Sequence, residues 1–381
     1  MSDLRDQEIQ VLRIIRDNPF AGQQQIADAL GLSRSAVAAH VVRLMEKGYI
    51  LGRGYVVAPE DRVIAIGGAV IDRKYLSSEA LIAGTSNPAS SLRSFGGVAR
   101  NVAENLARLG AATGFISAVG EDEGGHQLIH DLREHRVDVA GVFTLGGATT
   151  AEYVAVLEPS GDLAFGIADM AIFDQLTPAL LERAWPSIAA ARWVFADCNL
   201  PAETLAWLIE RRQQSRFRLA VDAVSTPKVA KLPKDLTGID LLFMNLDEAG
   251  ACLGRSFSRD CDGMRVAAEA LRAAGAGEVV LSCGVLGMAV AMQTATAMVP
   301  VVPACPVDMT GAGDAMIAGT LHFYSTSDDL VASARRGALI GCLTTETEKS
   351  VHPALCEGFV AENLARLEKI STELETEIGK G

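Results

Sequence analysis

The chain has 381 residues, 49% apolar and 21% charged, with a net charge of −13. This length points to two domains, or one large and one small, and the composition excludes a disordered or collagen-like chain. Residues 1–60 hold 7 basic and 7 acidic side chains, so the whole negative excess lies beyond them, and that larger part will not attract nucleic acid through bulk charge.

The first 57 residues read as a unit of their own. Leu4, Ile9, Leu12, Ile14 and Ile15 predict a helix that stops before Asn18-Pro19. A short helix over 24–30 follows, then a turn at Gly31-Leu32 and a third helix capped by Ser33 and running to about Lys47. Two short strands, 49–51 and 55–57, flank Gly52-Arg53-Gly54. Three helices and a hairpin make the winged helix-turn-helix plan. Ala27 lets two helices approach, Gly31 makes the turn and Val37 plugs between them. On this pattern residues 4–57 resemble the bacterial winged-helix family, in which the third helix enters the major groove. Ser33, Arg34, Ser35 and His40 are then the candidate base contacts, and Arg43, Lys47 and Arg53 the phosphate contacts. The competing reading is a helical adaptor for dimerisation.

Residues 58–61 form a linker, and from Arg62 strands and helices alternate. Apolar strands are expected at 63–66, 114–119, 193–197, 219–222, 241–245 and 279–283, with a helix over 98–109. The fold class is therefore α/β, a mostly parallel sheet with helices on both faces. Residues 75–94 read as polar and irregular. Residues 153–157 and 163–167 read as a hairpin around Pro159-Ser160-Gly161-Asp162, and the two stretches can pair into a small β lid spanning about 73–95 and 148–170. The domains are thus expected at 1–58 and 62–381.

The strongest chemical signal is Asp308-Met309-Thr310-Gly311-Ala312-Gly313-Asp314 ahead of a helical run. Gly311, Ala312 and Gly313 at a helix N-terminus can present backbone N–H groups as an anion hole. Asp314 stands at the same spot, poised to take a proton from a hydroxyl while the hole neutralises a transferring phosphoryl group. Three companions support that reading. Gly96-Gly97 open a helix and allow close approach of a ligand, with Asn101 offering a donor and an acceptor to sugar hydroxyls. Asp72 follows the first sheet strand, where ligands bind in open α/β sheets, and can accept from a vicinal diol. Asn245-Leu246-Asp247-Glu248 suits a magnesium-water and phosphate site. There is no Walker A motif and no protein-kinase motif set.

These stretches make residues 62 to about 365 similar to the ribokinase/PfkB family of sugar and nucleoside kinases. The resemblance implies Asp314 as catalytic base, Gly311–Gly313 as anion hole, and Asp72, Gly97 and Asn101 at the ribose. It implies Asn245 and Glu248 at magnesium and phosphate, and Ser282, Gly284 and Gly287 in the nucleotide-side loop, with Thr310 beside them. It places Asp308 and Thr310 where some members hold a monovalent cation such as K+. A finer resemblance, to pseudouridine kinases, runs through Ser86-Asn87-Pro88, Gly96-Gly97-Val98, Asp169-Met170, Ala196-Asp197-Cys198-Asn199 and Val221-Asp222 with Lys228. It adds Asn87, Asp169 and Lys228 to the substrate side. The departures are Ala223, Phe243-Met244 and the stretch 344–353.

The implied reaction is 5′-phosphorylation of pseudouridine by ATP with Mg2+. The alternatives are a kinase for another nucleoside or sugar, and a regulator whose kinase fold only senses a ligand. The partners implied are the nucleoside, DNA at the N-terminal unit and a second copy through the lid. Arg100 is either a ligand contact or the partner of a nearby acid, with the ligand preferred. Lys228 is a contact to a base edge or phosphate, or a surface lysine. His126 and His130 share a helix face, but no carboxylate or Cys completes a metal set, so a solvated face is expected. Cys198 reads as a packing residue. With no membrane span, no signal peptide and seven scattered cysteines without a CxxC pair, the expected location is the cytoplasm.

Overall fold

The computed structural model describes residues 4–19, 21–51 and 61–367. The N-terminal unit has three helices, α1 (Asp6–Asp17), α2 (Gln23–Leu30) and α3 (Arg34–Glu46). Gly31 ends α2 in the left-handed conformation at φ 65°, and the Ser33 hydroxyl caps α3 by accepting from the Ala36 amide. Val11, Leu12, Ile15, Ile26, Ala27, Val37 and Leu44 fill one small core. The expected second strand of the hairpin, its Gly turn with Arg53, and linker residues 58–60 lie outside the described residues.

The larger part is built on β1 (Val63–Ile66), β4 (Thr113–Gly120), β5 (Asp138–Leu145), β8 (Trp193–Asp197), β9 (Arg218–Asp222), β10 (Leu241–Asn245), β11 (Glu278–Ser282), β12 (Met288–Ala291) and β13 (Thr296–Val299). They form one nine-stranded sheet in the order β13-β12-β11-β10-β9-β8-β1-β4-β5. β11 through β5 pair in parallel, and β12 and β13 complete the edge antiparallel. Alternate residues bury on opposite faces, as the strand period requires. Ile64, Val194, Val221 and Leu242 join one core, and Val63, Phe195 and Phe243 join the other. Two-sided burial explains why these strands read as continuous apolar runs.

A second sheet stands off the first, in the order β3-β2-β6-β7, from β2 (Val70–Ser77), β3 (Ala89–Gly96), β6 (Glu152–Leu157) and β7 (Leu163–Asp169). This corrects the irregular reading of 75–94. Segment 89–94 exposes nearly every side chain, and β2 buries only its two ends, so neither shows an apolar alternation. They are strands because β2 pairs with β3 from Val70↔Gly96 to Ser77↔Ala89. No helix among the described residues is long and apolar enough to cross a membrane.

Candidate functional site

Parallel register brings the carboxyl ends of the central strands to one edge, because Ile66 pairs with Ala196, Asp197 with Asp222, and Asn245 with Ser282. Ligands in open α/β sheets bind at that edge. Here Asp197 is fully buried and draws two glycine-rich segments together. Its Oδ2 accepts from the Gly68 and Ala99 amides, both at 3.0 Å, and its Oδ1 from the Asn199 amide at 2.9 Å. Ala99 lies in the first turn of α4 (Val98–Arg108). Asp197 therefore fixes where that helix begins relative to β1. The sequence marks this residue only within a longer resemblance, and nothing about an apolar strand end reveals three amides converging on it.

Gly97 precedes α4 at φ 100°, and a Cβ there would lie 2.5 Å from the Gly68 carbonyl oxygen. A Cβ on Gly96 would lie 2.1 Å from Asp72 Oδ2. Gly97 is thus required by its close approach to backbone, while at Gly96 a methyl would have to push the Asp72 carboxylate aside. From the first turn of α4, Asn101 donates from Nδ2 to Asp314 Oδ2 at 2.7 Å. Asp314 sits in the first turn of the helix Ala312–Ser327, which follows Gly311 at φ 80°. First-turn amides have no partner within the helix, so those of Gly313 and Asp314 are available as donors at its N-terminus. Gly313 has open space where a side chain would project, with no atom within 4 Å of a Cβ built there.

The charges here are unusual. Desolvation pushes the Asp314 carboxyl up to about 6, against the Asn101 hydrogen bond, with Asp197 and Asp72 adding repulsion. Desolvation likewise raises Asp72 to about 6, against the pull of Lys74 and Arg100. Asp222 is raised well above the usual carboxylate range by desolvation, then by Glu248 and Asp314. Glu248 is raised by burial, and its side chain and that of Asn245 form a reciprocal helix cap at 2.8 and 2.9 Å. Four carboxyl groups short of counter-charge converge on one cleft. Their chemistry fits a polyhydroxyl ligand at Asp72 and a divalent cation near Glu248 and Asp222.

Other expected residues are placed as follows. Lys228 Nζ donates to Asn199 Oδ1 beside Asp197, so it faces the cleft, and desolvation lowers its pKa. Ser282 ends β11, Gly284 turns at φ 54°, and Gly287 at φ 85° passes the Val299 carbonyl too closely for any side chain. Asp169 ends β7, exposed and in register with Glu152. Cys198 is buried, as expected of a packing residue. His126 and His130 are exposed on one helix face.

Several expectations are corrected. Arg100 is not turned to a ligand: it is buried, and its Nη2 meets Glu104 Oε2 at 2.5 Å and Asp131 Oδ2 at 2.6 Å, while Nη1 donates to Asn101 Oδ1. Two acids win it because a buried guanidinium needs charge partners more than a neutral hydroxyl can supply. Glu104, Asp131 and His135 come within metal-ligand reach of one another, but Arg100 and Arg108 already neutralise the acids. Asn87 spends its amide on its own loop, bonding Ile82 and Thr85. Asp308 and Thr310 bond to each other, and Asp308 also pairs with Lys74.

In the N-terminal unit His40 is buried and bonded to Arg43, so it cannot read a base. It lies on the packing stripe of Val37, Val41 and Leu44. Arg43 and Lys47 both reach back to the buried Glu8 of α1, each at 2.9 Å, and are not free phosphate contacts. Ser33, Arg34 and Ser35 remain exposed at the start of α3.

Residues 60–355 match the model of the pfkB family of carbohydrate kinases, and residues 4–50 match a winged helix-turn-helix DNA-binding model. The uncharacterized sugar kinase YeiI of Escherichia coli is 30% identical over 92% of this chain and 97% of its own length. The pseudouridine kinase of Escherichia coli is 33% identical over 78% of this chain and 94% of its own length. A carbohydrate kinase structure from Agrobacterium tumefaciens superposes with a TM-score of 0.72 and 32% identity, covering 81% of this chain and 98% of that one. The protein belongs to the pfkB family of carbohydrate kinases and carries a winged helix-turn-helix domain ahead of its kinase fold.

Proposed function

We propose that this chain is an ATP-dependent nucleoside kinase that phosphorylates the 5′-hydroxyl of pseudouridine, with a DNA-binding head at about residues 1–58 and the kinase at 62–381. The carrying observation is the Asn101–Asp314 contact at the mouth of the Gly311–Asp314 helix start, where a base and anion donors share one spot. Asp72 accepts from the ribose diol, with Gly96 and Gly97 letting the sugar approach. Asp314 takes the proton of the 5′-hydroxyl as its oxygen bonds to the γ-phosphorus and the bond to ADP breaks. The amides of Gly313 and Asp314 receive the charge on the transferring group. Asn245 and Glu248, with Asp222 nearby, would hold Mg2+. That ion supplies Lewis-acid neutralisation of the phosphate oxygens when bound. Ser282, Gly284 and Gly287 border the nucleotide. Lys228 and Asp169 lie on the base side, and the likeness to the Escherichia coli pseudouridine kinase supports that choice of acceptor.

The head binds DNA through Ser33, Arg34 and Ser35 at the N-terminus of α3. Arg34→Ala is expected to weaken binding in a gel-shift assay at least about threefold, with the kinase rate unchanged. The protein pairs with a second copy across the lid. By register Val154 faces Ile167 and Val156 faces Phe165 on one side of that sheet, and Ile167 and Phe165 are each 63% exposed. Phe165→Asp is expected to yield a monomer in sedimentation.

The test of the reaction is ADP release with pseudouridine against uridine, inosine and ribose. Turnover selective for pseudouridine, with a 5′-monophosphate product, supports the reading. Selectivity for another acceptor replaces the substrate and keeps the chemistry.

A further inference from the structure

The loop that leads into the anion hole needs an anchor. Gly311 holds a left-handed conformation, and a Cβ there would lie 2.0 Å from the Ser350 carbonyl oxygen, so the loop is pressed against the segment after the helix Leu330–Thr345. Asp308 supplies the anchor. Its Oδ1 accepts from the Thr310 amide at 2.8 Å and from the Thr310 hydroxyl at 2.6 Å. Its Oδ2 meets the Lys74 ammonium at 3.2 Å.

The carboxylate that would anchor a monovalent cation here is therefore engaged. Both Asp308 oxygens have donors, with the Lys74 ammonium already balancing the carboxylate, and the Thr345 carbonyl accepts from the Val307 amide at 2.7 Å and the Asp308 amide at 3.1 Å. The donor set does not fit a resident K+. A lysine nitrogen from the lid already provides the positive charge.

Lys74 lies in the middle of β2, two residues after Asp72. Strand period puts the two side chains on one face. Lys74 therefore reaches the anion-hole loop from the same strand that offers Asp72 to the acceptor.

We propose that Lys74 replaces the monovalent cation, holding the anion-hole loop from the lid so that turnover needs no K+ and the hole is set only when β2 is seated. The inference rests on the phosphotransfer reading of Asp314 and its helix start. Lys74 is a positioning residue, since it touches Asp308 and not the reacting atoms.

The experiment compares the full-length wild type, Lys74→Met and Lys74→Arg in tetramethylammonium chloride and in KCl at equal ionic strength. Two readouts are taken: kcat and KM with Mg-ATP and the best acceptor, and the melting temperature without acceptor. The wild-type kcat is expected to change less than about twofold between salts, and Lys74→Met to lose at least about tenfold in kcat in tetramethylammonium, with KCl restoring part of it. Lys74→Arg is expected to stay indifferent to KCl. KCl is expected to raise the melting temperature of Lys74→Met and not of the wild type. This thermal readout requires no acceptor, so it stands even if pseudouridine is not the substrate. Strong K+ stimulation of the wild type overturns the proposal. So does Lys74→Met with wild-type kcat in tetramethylammonium, or a loss in Lys74→Met that neither KCl nor the arginine variant repairs.

Discussion

At the scale of single residues, Asp314, the proposed base, has to be ionised to accept a proton and sits where its charge is disfavoured. Asp314→Asn is expected to lower kcat by about 10²–10⁴-fold with nucleoside affinity largely kept, because the base is removed and the pocket is not. Isothermal titration alongside turnover checks this. With the carboxyl raised to about 6, kcat/KM is expected to fall as pH drops below about 6, and Asp72 titrates in the same range. The stability consequence has the opposite sense. An Asp314 carboxyl that moves from 3.8 unfolded to about 6 folded binds more protons in the native state, so its ionisation costs stability as pH rises through that window. Asp314→Asn is therefore expected to be more stable than wild type at pH 7.5, by on the order of 2 kcal/mol, and no more stable at pH 4. Denaturant melts at the two pH values read this directly. Gly96→Ala, which drives a methyl into Asp72, is expected to raise KM for the acceptor by about tenfold and leave KM for ATP near wild type.

At the scale of elements, α1 and α3 are joined by an acid buried between two cations. Desolvation pulls the Glu8 carboxyl upward, but hydrogen bonds from Lys47, the Arg5 amide and Arg43 hold it down at about 2. A depressed folded value means this contribution is complete above the unfolded value of 4.5 and is lost as pH falls toward 2. Glu8→Gln is expected to destabilise the head by about 3 kcal/mol at pH 7, measured by thermal melting. The legibility of the elements follows the same physics. β8 and β10 were readable to the residue because both faces are buried and every position is apolar, save the strand ends Asp197 and Asn245. β2 and β3 were not, because neither buries an alternating apolar face: β2 buries only its ends and β3 is exposed over most of its length. In the site, the Gly-rich helix start and Asp314 were legible from local chemistry alone. Glu104, four residues after Arg100 on one helix face, was a legible partner, but Asp131 and the Glu8 that holds Arg43 were not, because they lie 31 and 35 residues away and no local pattern links them. The burial of His40 was within reach, since it falls between Val37, Val41 and Leu44 on the helical period.

At the scale of the whole molecule, the head rests on the kinase fold. Arg216, just before β9, lies over the Tyr49 ring at 4.1 Å and donates to the Ala190 carbonyl at 2.7 Å and the Gly48 carbonyl at 3.4 Å. Gly48 has no room for a side chain, since a Cβ would lie 2.4 Å from the Ala189 backbone. This joint lies at the amino ends of the strands, across the sheet from the cleft. Arg216→Ala is expected to split calorimetric unfolding into two transitions, with the head melting first, while the kinase rate is unchanged. Phosphate transfer at the Asn101–Asp314 site to a nucleoside hydroxyl, as proposed above, stands or falls on turnover. The most direct measurement is ADP release by the purified protein with Mg-ATP across pseudouridine, uridine, inosine, adenosine, ribose and fructose, repeated with Asp314→Asn. Turnover selective for pseudouridine and abolished in the variant is the predicted result. No turnover with any acceptor, while nucleosides still raise the melting temperature, contradicts it and leaves a ligand-sensing regulator.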